Sequence, residues 1–401
     1  MKNLLVTIAT ALFLIQSAES SVSKEDSATV RLILDKNGLT SMAVWSVADT
    51  VDGKVQGLYL SSQKISVIPP DIGDLKDLRL LWLDHNQVAH IPAAIGKCKQ
   101  LESLKLGYNR LVSLPEEFTN LQNITMLDLD NNLMAKLPDQ VLVLRSLSEL
   151  SLRSNKIQIV PAKIGAFSSL RYLYLDNNEI RSLPAEIDSL VQLEVLTLSQ
   201  NQLTWLPPQI GSLTLLRKLD LTGNRITSVP EEIGKLASLT DLYLNSNRLT
   251  SFPKEIAVLK KLRWLYMDNN SIAGLPLNLD SLDSIQWLSF AGNRIRKIPA
   301  SIGKCTTLDV LNLSRNLIDI VPVEITGLKN LMILRLDHNR IAVLPEGIEQ
   351  LNKLGIERGG KLYGNLDISY NRICNTSAQI KEWADKYNPG WNTTQSCKTG
   401  K

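Results

Sequence analysis

Few residues in this chain are of types that do chemistry, and their spacing keeps most of them apart. There are three histidines, His85, His90 and His338. His85 and His90 make at best a weak two-ligand pair, and a metal site needs three or four converging ligands. Of the cysteines, none has a histidine placed to make it a nucleophile. No glycine-rich loop opens a helix in the way a phosphate cradle requires. The residues that do stand out are in "WLYMDNN", residues 264–270, where four large apolar or aromatic residues run into an acid and two asparagines. Side chains of this kind hold partners by stacking and burial, provided that some of them face outward. Which ones do is a question of register.

A fixed period supplies the register. From Asn86 to Asn339 an asparagine recurs every 23 residues, through Asn109, Asn132, Asn155, Asn178, Asn201, Asn224, Asn247, Asn270, Asn293 and Asn316. The frame reaches back to Gln63 and returns at Asn371 after nine extra residues, which makes fourteen units. From Pro69 to Pro345, thirteen of the sixteen prolines fall six residues after the key position. One unit reads "LRYLYLDNNEIRSLPAEIDSLVQ", residues 170–192. Alternation over its first half makes Leu173 and Leu175 inward strand residues, with Tyr172, Tyr174 and Asp176 outward. Ile180, Leu183, Ile187 and Leu190 complete the inward set. An inward asparagine must be hydrogen-bonded, so the Asn178 position reads as structural, satisfied by backbone groups of the turn. No unit can bury its own apolar face, so stability comes from stacking on neighbours.

The pattern L-x-x-L-x-L-x-x-N-x-L-x-x-L-P-x-x-I-x-x-L resembles the leucine-rich repeat family in its 23-residue, Ras-suppressor-like subtype. The resemblance covers residues 55 to about 371. It implies an α/β fold: a curved leucine-rich repeat solenoid with one short parallel strand per unit on its concave face. Such a stack needs a cap at each raw end. At the front, "SKEDSATVRLILDKNG" offers Ser23 or Asp26 as a helix start and Gly38 as a stop, with Val30, Ile33 and Leu34 as the apolar stripe. "TSMAVWSV" then reads as an extra strand. At the back, Thr376 and Gln379 suggest a capping box for a helix through "AQIKEWADKY", where Trp383 and Trp391 supply covering bulk. The resulting division is a leader at 1–20, an N-terminal cap at 21–54, the solenoid at 55–371 and a C-terminal helical cap at 372–401.

The leader has Lys2, an apolar run from Leu4 to Ile15 and the small-residue site Ala18-Glu19-Ser20, the three parts of a secretory signal. In an oxidising compartment Cys374 and Cys397, which flank the last segment, are placed to form a disulfide. Cys98 and Cys305 each lie twelve residues after a key asparagine, nine units apart, roughly 43 Å along the stack at the usual strand spacing. They read as buried thiols. A front cap without cysteines is unlike many animal extracellular relatives and fits a bacterial exported protein, whether periplasmic, at the cell surface or secreted. The net charge of +4, from 44 bases and 40 acids, is too small and too mixed to argue for nucleic acid. No other segment suits a bilayer.

What remains for function is the outward strand positions, six, four and two residues before each key asparagine. Most are small or polar. Two places depart from that: Tyr59, Leu80 and Trp82 near the start, and the aromatic residues Tyr243, Trp264, Tyr266 and Trp287 on three adjacent strands, with Tyr172 and Tyr174 three units upstream. Asp84, Asp130, Asp176, Asp268 and Asp337 share the column two before the asparagine; a solvated face explains them, and attraction of a basic ligand or a cation is the alternative. Aromatic clusters on an exposed face are typical of binding hot spots, although cross-strand pairs that only stiffen the sheet would look the same. The expected function is a non-catalytic, cofactor-free, monomeric module that binds a protein on its concave face through Tyr172, Tyr174, Tyr243, Trp264, Tyr266, Asp268 and Trp287. Binding of carbohydrate or cell wall through the same aromatics is the alternative. The insertion around 354–362, with Gly359-Gly360 as its turn, reads as an adaptation to the cap.

Overall fold

The computed structural model describes residues 22–358, 361–363 and 366–397. The expected leader at 1–20 lies outside these. The chain forms two compact units, Met1–Ile180 and Arg181–Lys401.

The first unit opens with helix α1, Lys24–Lys36, capped by Ser23, whose hydroxyl accepts the Asp26 N–H at 3.1 Å. Asp26 is not the cap: its carboxylate accepts the Val55 N–H at 2.7 Å instead and is buried. Val30, Ile33 and Leu34 are buried against the first repeat, as their stripe requires. The extra strand is displaced from its expected place. Val44–Ser46 is a 3₁₀ turn, in which the Ser46 hydroxyl donates to the Ala43 carbonyl at 2.6 Å. Strand β1 follows at Ala48–Val51 and pairs antiparallel with β2, Lys54–Tyr59. A hydroxyl able to bond its own backbone competes with strand pairing, which is why alternation alone misplaced it.

From β2 the repeat takes over. β3 (Leu80–Trp82), β4 (Ser103–Lys105), β5 (Met126–Asp128), β6 (Glu149–Ser151) and β7 (Tyr172–Tyr174) add in parallel and in chain order. Each pairs residues 23 apart, as in Leu81 with Leu104. Between strands the chain returns through a 3₁₀ turn set by proline, for example Ala93–Lys97 after Pro92 at φ −68°. Proline presets that φ and gives up a donor that the turn does not use.

The second unit continues the pattern with β8 (Val195–Thr197), β9 (Lys218–Asp220), β10 (Asp241–Tyr243), β11 (Trp264–Tyr266), β12 (Trp287–Ser289), β13 (Val310–Asn312) and β14 (Ile333–Arg335). The extra residues then form an antiparallel hairpin, β15 (Ile356–Arg358) with β16 (Lys361–Tyr363), and β17 (Leu366–Asp367) returns to pair with β14. Helix α2, Ala378–Tyr387, closes this unit. Its cap is Ser377, not Thr376: the Ser377 hydroxyl accepts the Ile380 N–H at 3.3 Å, and Gln379 bonds Glu349 instead of completing a capping box. Cys374 and Cys397 form the expected disulfide, with Cα atoms 5.6 Å apart. Among the described residues no helix is long and apolar enough to cross a membrane.

Strands of three residues have almost no stability alone, so the inward ladder must supply it. In the repeat that contains "WLYMDNN", Leu265, Met267, Ile272, Leu279 and Leu282 are all buried. Each such side chain contributes about 1.5–3 kcal/mol by leaving water. The asparagines form the polar ladder of the core. Asn109 donates to the Leu83 and Leu106 carbonyls at 2.9 and 3.0 Å and accepts the Val88 N–H at 2.9 Å. The architecture is the leucine-rich repeat solenoid that the period implies, an open and mostly parallel sheet with one strand per repeat.

Candidate functional site

Parallel register fixes what the outward columns of the second unit bring together. Asp241 pairs with Trp264 and Tyr243 with Tyr266 across β10 and β11. Trp264 pairs with Trp287, and Tyr266 with Ser289, across β11 and β12. Trp264, Tyr266 and Trp287 are each half-buried, while Leu265 between them is fully buried. The Tyr243 and Tyr266 rings stack with centroids 5.0 Å apart and planes within 9°. Trp287 leans across the strand direction to meet Tyr266 rather than Trp264, at 5.6 Å and 33°. Lys218 lies over the far face of the row, 5.1 Å from the Tyr243 ring. Four of the seven expected binding residues therefore form one surface on three neighbouring strands.

Asp268 plays a different part. Its carboxylate accepts the Ser289 hydroxyl and the Ala291 N–H, both at 2.6 Å, and so ties β11 to the next repeat. Burial raises its pKa and these two bonds oppose the rise. Asp130 does the same with Ser151 and the Arg153 N–H. Part of the acidic column is thus a set of staples between repeats. Burial, and then the charge of Asp241, push the Tyr243 phenol up to about 12. Tyr266 is raised in the same direction by burial and by Asp268 and Asp241. Both phenols thus have carboxylates close by.

Tyr172 and Tyr174 stand on β7 in the first unit and have cationic neighbours. The Arg171 guanidinium lies 5.6 Å from the Tyr172 ring and that of Arg153 lies 3.9 Å from Tyr174. Arg153 also reaches Asp130 at 3.4 Å and Asp176 at 3.1 Å. At the start of that unit Tyr59 meets Trp82 edge-on at 4.9 Å, the Tyr59 hydroxyl donates to Asp49 at 2.9 Å, and Lys105 caps the Trp82 ring at 3.9 Å. The buried indole N–H groups of Trp82 and Trp287 have no hydrogen-bond partner among the described residues. The bases Lys105, Arg153 and Lys218 are absent from the expected binding set, although the period alone puts all three in outward columns beside aromatic rings.

Two of the three histidines are used in stacking. His85 lies on Tyr108 with centroids 4.1 Å apart, and His338 lies on Tyr370 at 4.2 Å with Nδ1 2.8 Å from Asp337. Among the described residues no group of three or more potential ligands is placed to hold a metal. Cys98 and Cys305 are buried free thiols, and burial pushes the pKa of each up to about 11, so both are neutral.

One carboxyl group predicts a pH effect. Burial pushes Asp128 up to about 6, with Asp130 and Asp84 adding to the rise. At Gly107 a Cβ would stand 2.9 Å from the Asp128 carboxylate, so a larger residue there would make that carboxylate shift. Because the folded carboxyl holds its proton more tightly than the unfolded one, stability present below about pH 4 is lost as pH rises through about 6. Asp128→Asn keeps the acceptor for the Asp130 N–H and removes the charge. In thermal melts the variant should exceed the parent at pH 8 and match it near pH 4; a gap independent of pH would contradict this assignment.

Comparison with known proteins agrees with this architecture. The leucine rich repeat family model matches residues 53–111, 78–134, 145–203, 214–272 and 281–354. No curated protein matches the sequence. Among solved structures, a leucine-rich repeat protein of Leptospira interrogans is 35% identical, with 82% of this chain and 88% of that one covered and a TM-score of 0.75. A plant peptide hormone receptor solved in complex with RGF2 is 27% identical at a TM-score of 0.69; 82% of this chain aligns, but it spans only 56% of the receptor. An internalin of Listeria monocytogenes, 22% identical at a TM-score of 0.68 over 82% of this chain and 93% of that one, shares the fold. Members of this family are typically interaction modules without catalytic activity. Given matches over most of its length, the chain belongs to the leucine-rich repeat family.

Proposed function

We propose that this protein is an exported, monomeric recognition module that captures a protein partner on its strand face, the concave side of the solenoid. The aromatic surface of Tyr243, Trp264, Tyr266 and Trp287 is the single observation that carries this reading. Half-buried aromatic rings on a preformed sheet lose little entropy on binding and bury much area, which is how anchors concentrate affinity. The stacking favours a polypeptide over a sugar: in the row Tyr243–Tyr266–Trp287 the two tyrosine faces stack and Trp287 tilts against Tyr266, so the faces turned toward one another are closed to a ligand. A pyranose needs an open ring face, and of the four rings Trp264 is the one outside that row. The peptide ligand of the plant receptor is consistent with a polypeptide partner here. The Cys374–Cys397 disulfide and the signal-like leader support export, and the 23-residue period with a cysteine-free front cap supports a Ras-suppressor-like repeat in a bacterial exported protein.

The test compares capture by the parent protein and by Trp264→Ala from the extract of the producing organism or its host, beside a glycan array. A hot-spot tryptophan should weaken capture of a specific polypeptide about 30-fold with little change in melting temperature. Equal capture by both proteins sinks the assignment. Glycan binding lost in the variant would transfer the function to carbohydrate, and unfolding of the variant would show that Trp264 is packed rather than presented.

A further inference from the structure

The outward rings differ in what covers them. Lys105 lies over Trp82, Arg153 over Tyr174 and Lys218 over Tyr243. The Arg153 arrangement is the most complete, because its guanidinium stacks on a tyrosine while reaching carboxylates of two neighbouring repeats. Among the described residues no lysine or arginine lies over Trp264, Tyr266 or Trp287. The acids of that arrangement are nevertheless present. Asp241 is the register partner of Trp264. One oxygen of Asp241 accepts the Thr240 hydroxyl at 2.6 Å, and the other receives only a long contact, 3.4 Å, from the Tyr243 hydroxyl. A carboxylate has about four acceptor sites, so capacity remains. Lys218 is the register partner of Asp241 on β9 but lies over the Tyr243 ring, and among the described residues no base forms a salt bridge with Asp241. The surface thus repeats the aromatic and acidic parts of an arrangement that the chain elsewhere fills with its own cation.

We propose that the partner fills it: a protein or peptide ligand presents an arginine whose guanidinium lies on the Trp264 ring and donates to Asp241. This rests on the recognition reading above and specifies its ligand chemistry. Arginine suits the site better than lysine because its flat, weakly hydrated fork stacks on an indole and bonds a carboxylate at the same time. The charge of Asp241, felt by both tyrosines, and that of Asp268, felt by Tyr266, supply the complementary field.

The probe is a phage-displayed library of random linear peptides selected on the whole protein, with each clone retested on Trp264→Ala and Asp241→Asn. Clones that depend on Trp264 should carry an arginine. In synthetic copies, replacing that arginine by uncharged citrulline should weaken binding about tenfold, as should Asp241→Asn, and the two changes together should cost little more than either alone. Trp264-dependent clones without arginine, or citrulline copies that bind equally well, would overturn the arginine assignment and leave the recognition surface standing. If no clone depends on Trp264, both readings fall. Asp241→Asn is nearly isosteric, so it keeps the test valid if Trp264→Ala proves unstable.

Discussion

Asn293→Ala is expected to lower the stability of the second unit by about 3 kcal/mol, because it strands several buried groups at once. The Asn293 amide donates to the Met267 carbonyl at 2.9 Å and to the Phe290 carbonyl at 3.0 Å, and its oxygen accepts the Ile272 N–H at 3.0 Å. Two of those partners belong to the preceding repeat, so one side chain joins β11 to the repeat that carries Trp287. The site is only 7% exposed, which leaves little access for water to replace the bonds. Each buried group left without a partner costs about 1–3 kcal/mol. Denaturant titration of parent and variant measures the loss directly. A change below about 1 kcal/mol would mean that water enters the gap and the ladder matters less than its regularity suggests. Because the defect lies under the aromatic surface, Asn293→Ala should weaken stability and partner capture together, whereas Trp264→Ala should affect capture alone.

A period of 23 placed the strands and divided "WLYMDNN" correctly: Leu265 and Met267 are fully buried, and Trp264 and Tyr266 are not. Inward and outward positions follow from backbone geometry alone, and strict repetition leaves one register open. Contacts between outward side chains are another matter, since they depend on rotamers and twist. Nothing in the spacing foretold that Trp287 would lean onto Tyr266 instead of Trp264, or that Arg153 would reach two aspartates and a tyrosine together. Asp268 looked like a ligand contact because it shares a face with the aromatics, yet its oxygens are turned to Ser289 and Ala291. Irregular ends were the hardest to read. At Ser46 and Ser377 a local hydroxyl bond decided the geometry, and several nearby residues offered the same chemistry.

Trp383→Ala should be the most damaging single change in the C-terminal cap, at about 3–5 kcal/mol. Trp383 is 6% exposed, donates from Nε1 to the Leu351 carbonyl at 3.2 Å and meets the Tyr387 ring edge-on at 6.3 Å. The Tyr387 hydroxyl in turn donates to the Asn352 carbonyl at 3.2 Å. These contacts lay α2 over the chain just before the hairpin, where the solenoid would otherwise end on exposed leucines. A repeat stack loses order from an uncovered end inward, because each unit is held chiefly by its neighbours. The variant should therefore melt with an early transition seen at the cap, while the Tyr243–Tyr266 surface stays folded until a later one. The Cys374–Cys397 disulfide should limit how far the freed segment departs, so reduction should enlarge the early transition. Trp383→Phe separates packing from hydrogen bonding: it retains most of the buried area and should cost only about 1 kcal/mol. Hydrogen exchange resolved along the chain distinguishes the outcomes. A single transition that takes the cap and the aromatic surface together would show that the stack unfolds as one cooperative body, and that the cap stabilises every repeat rather than the last.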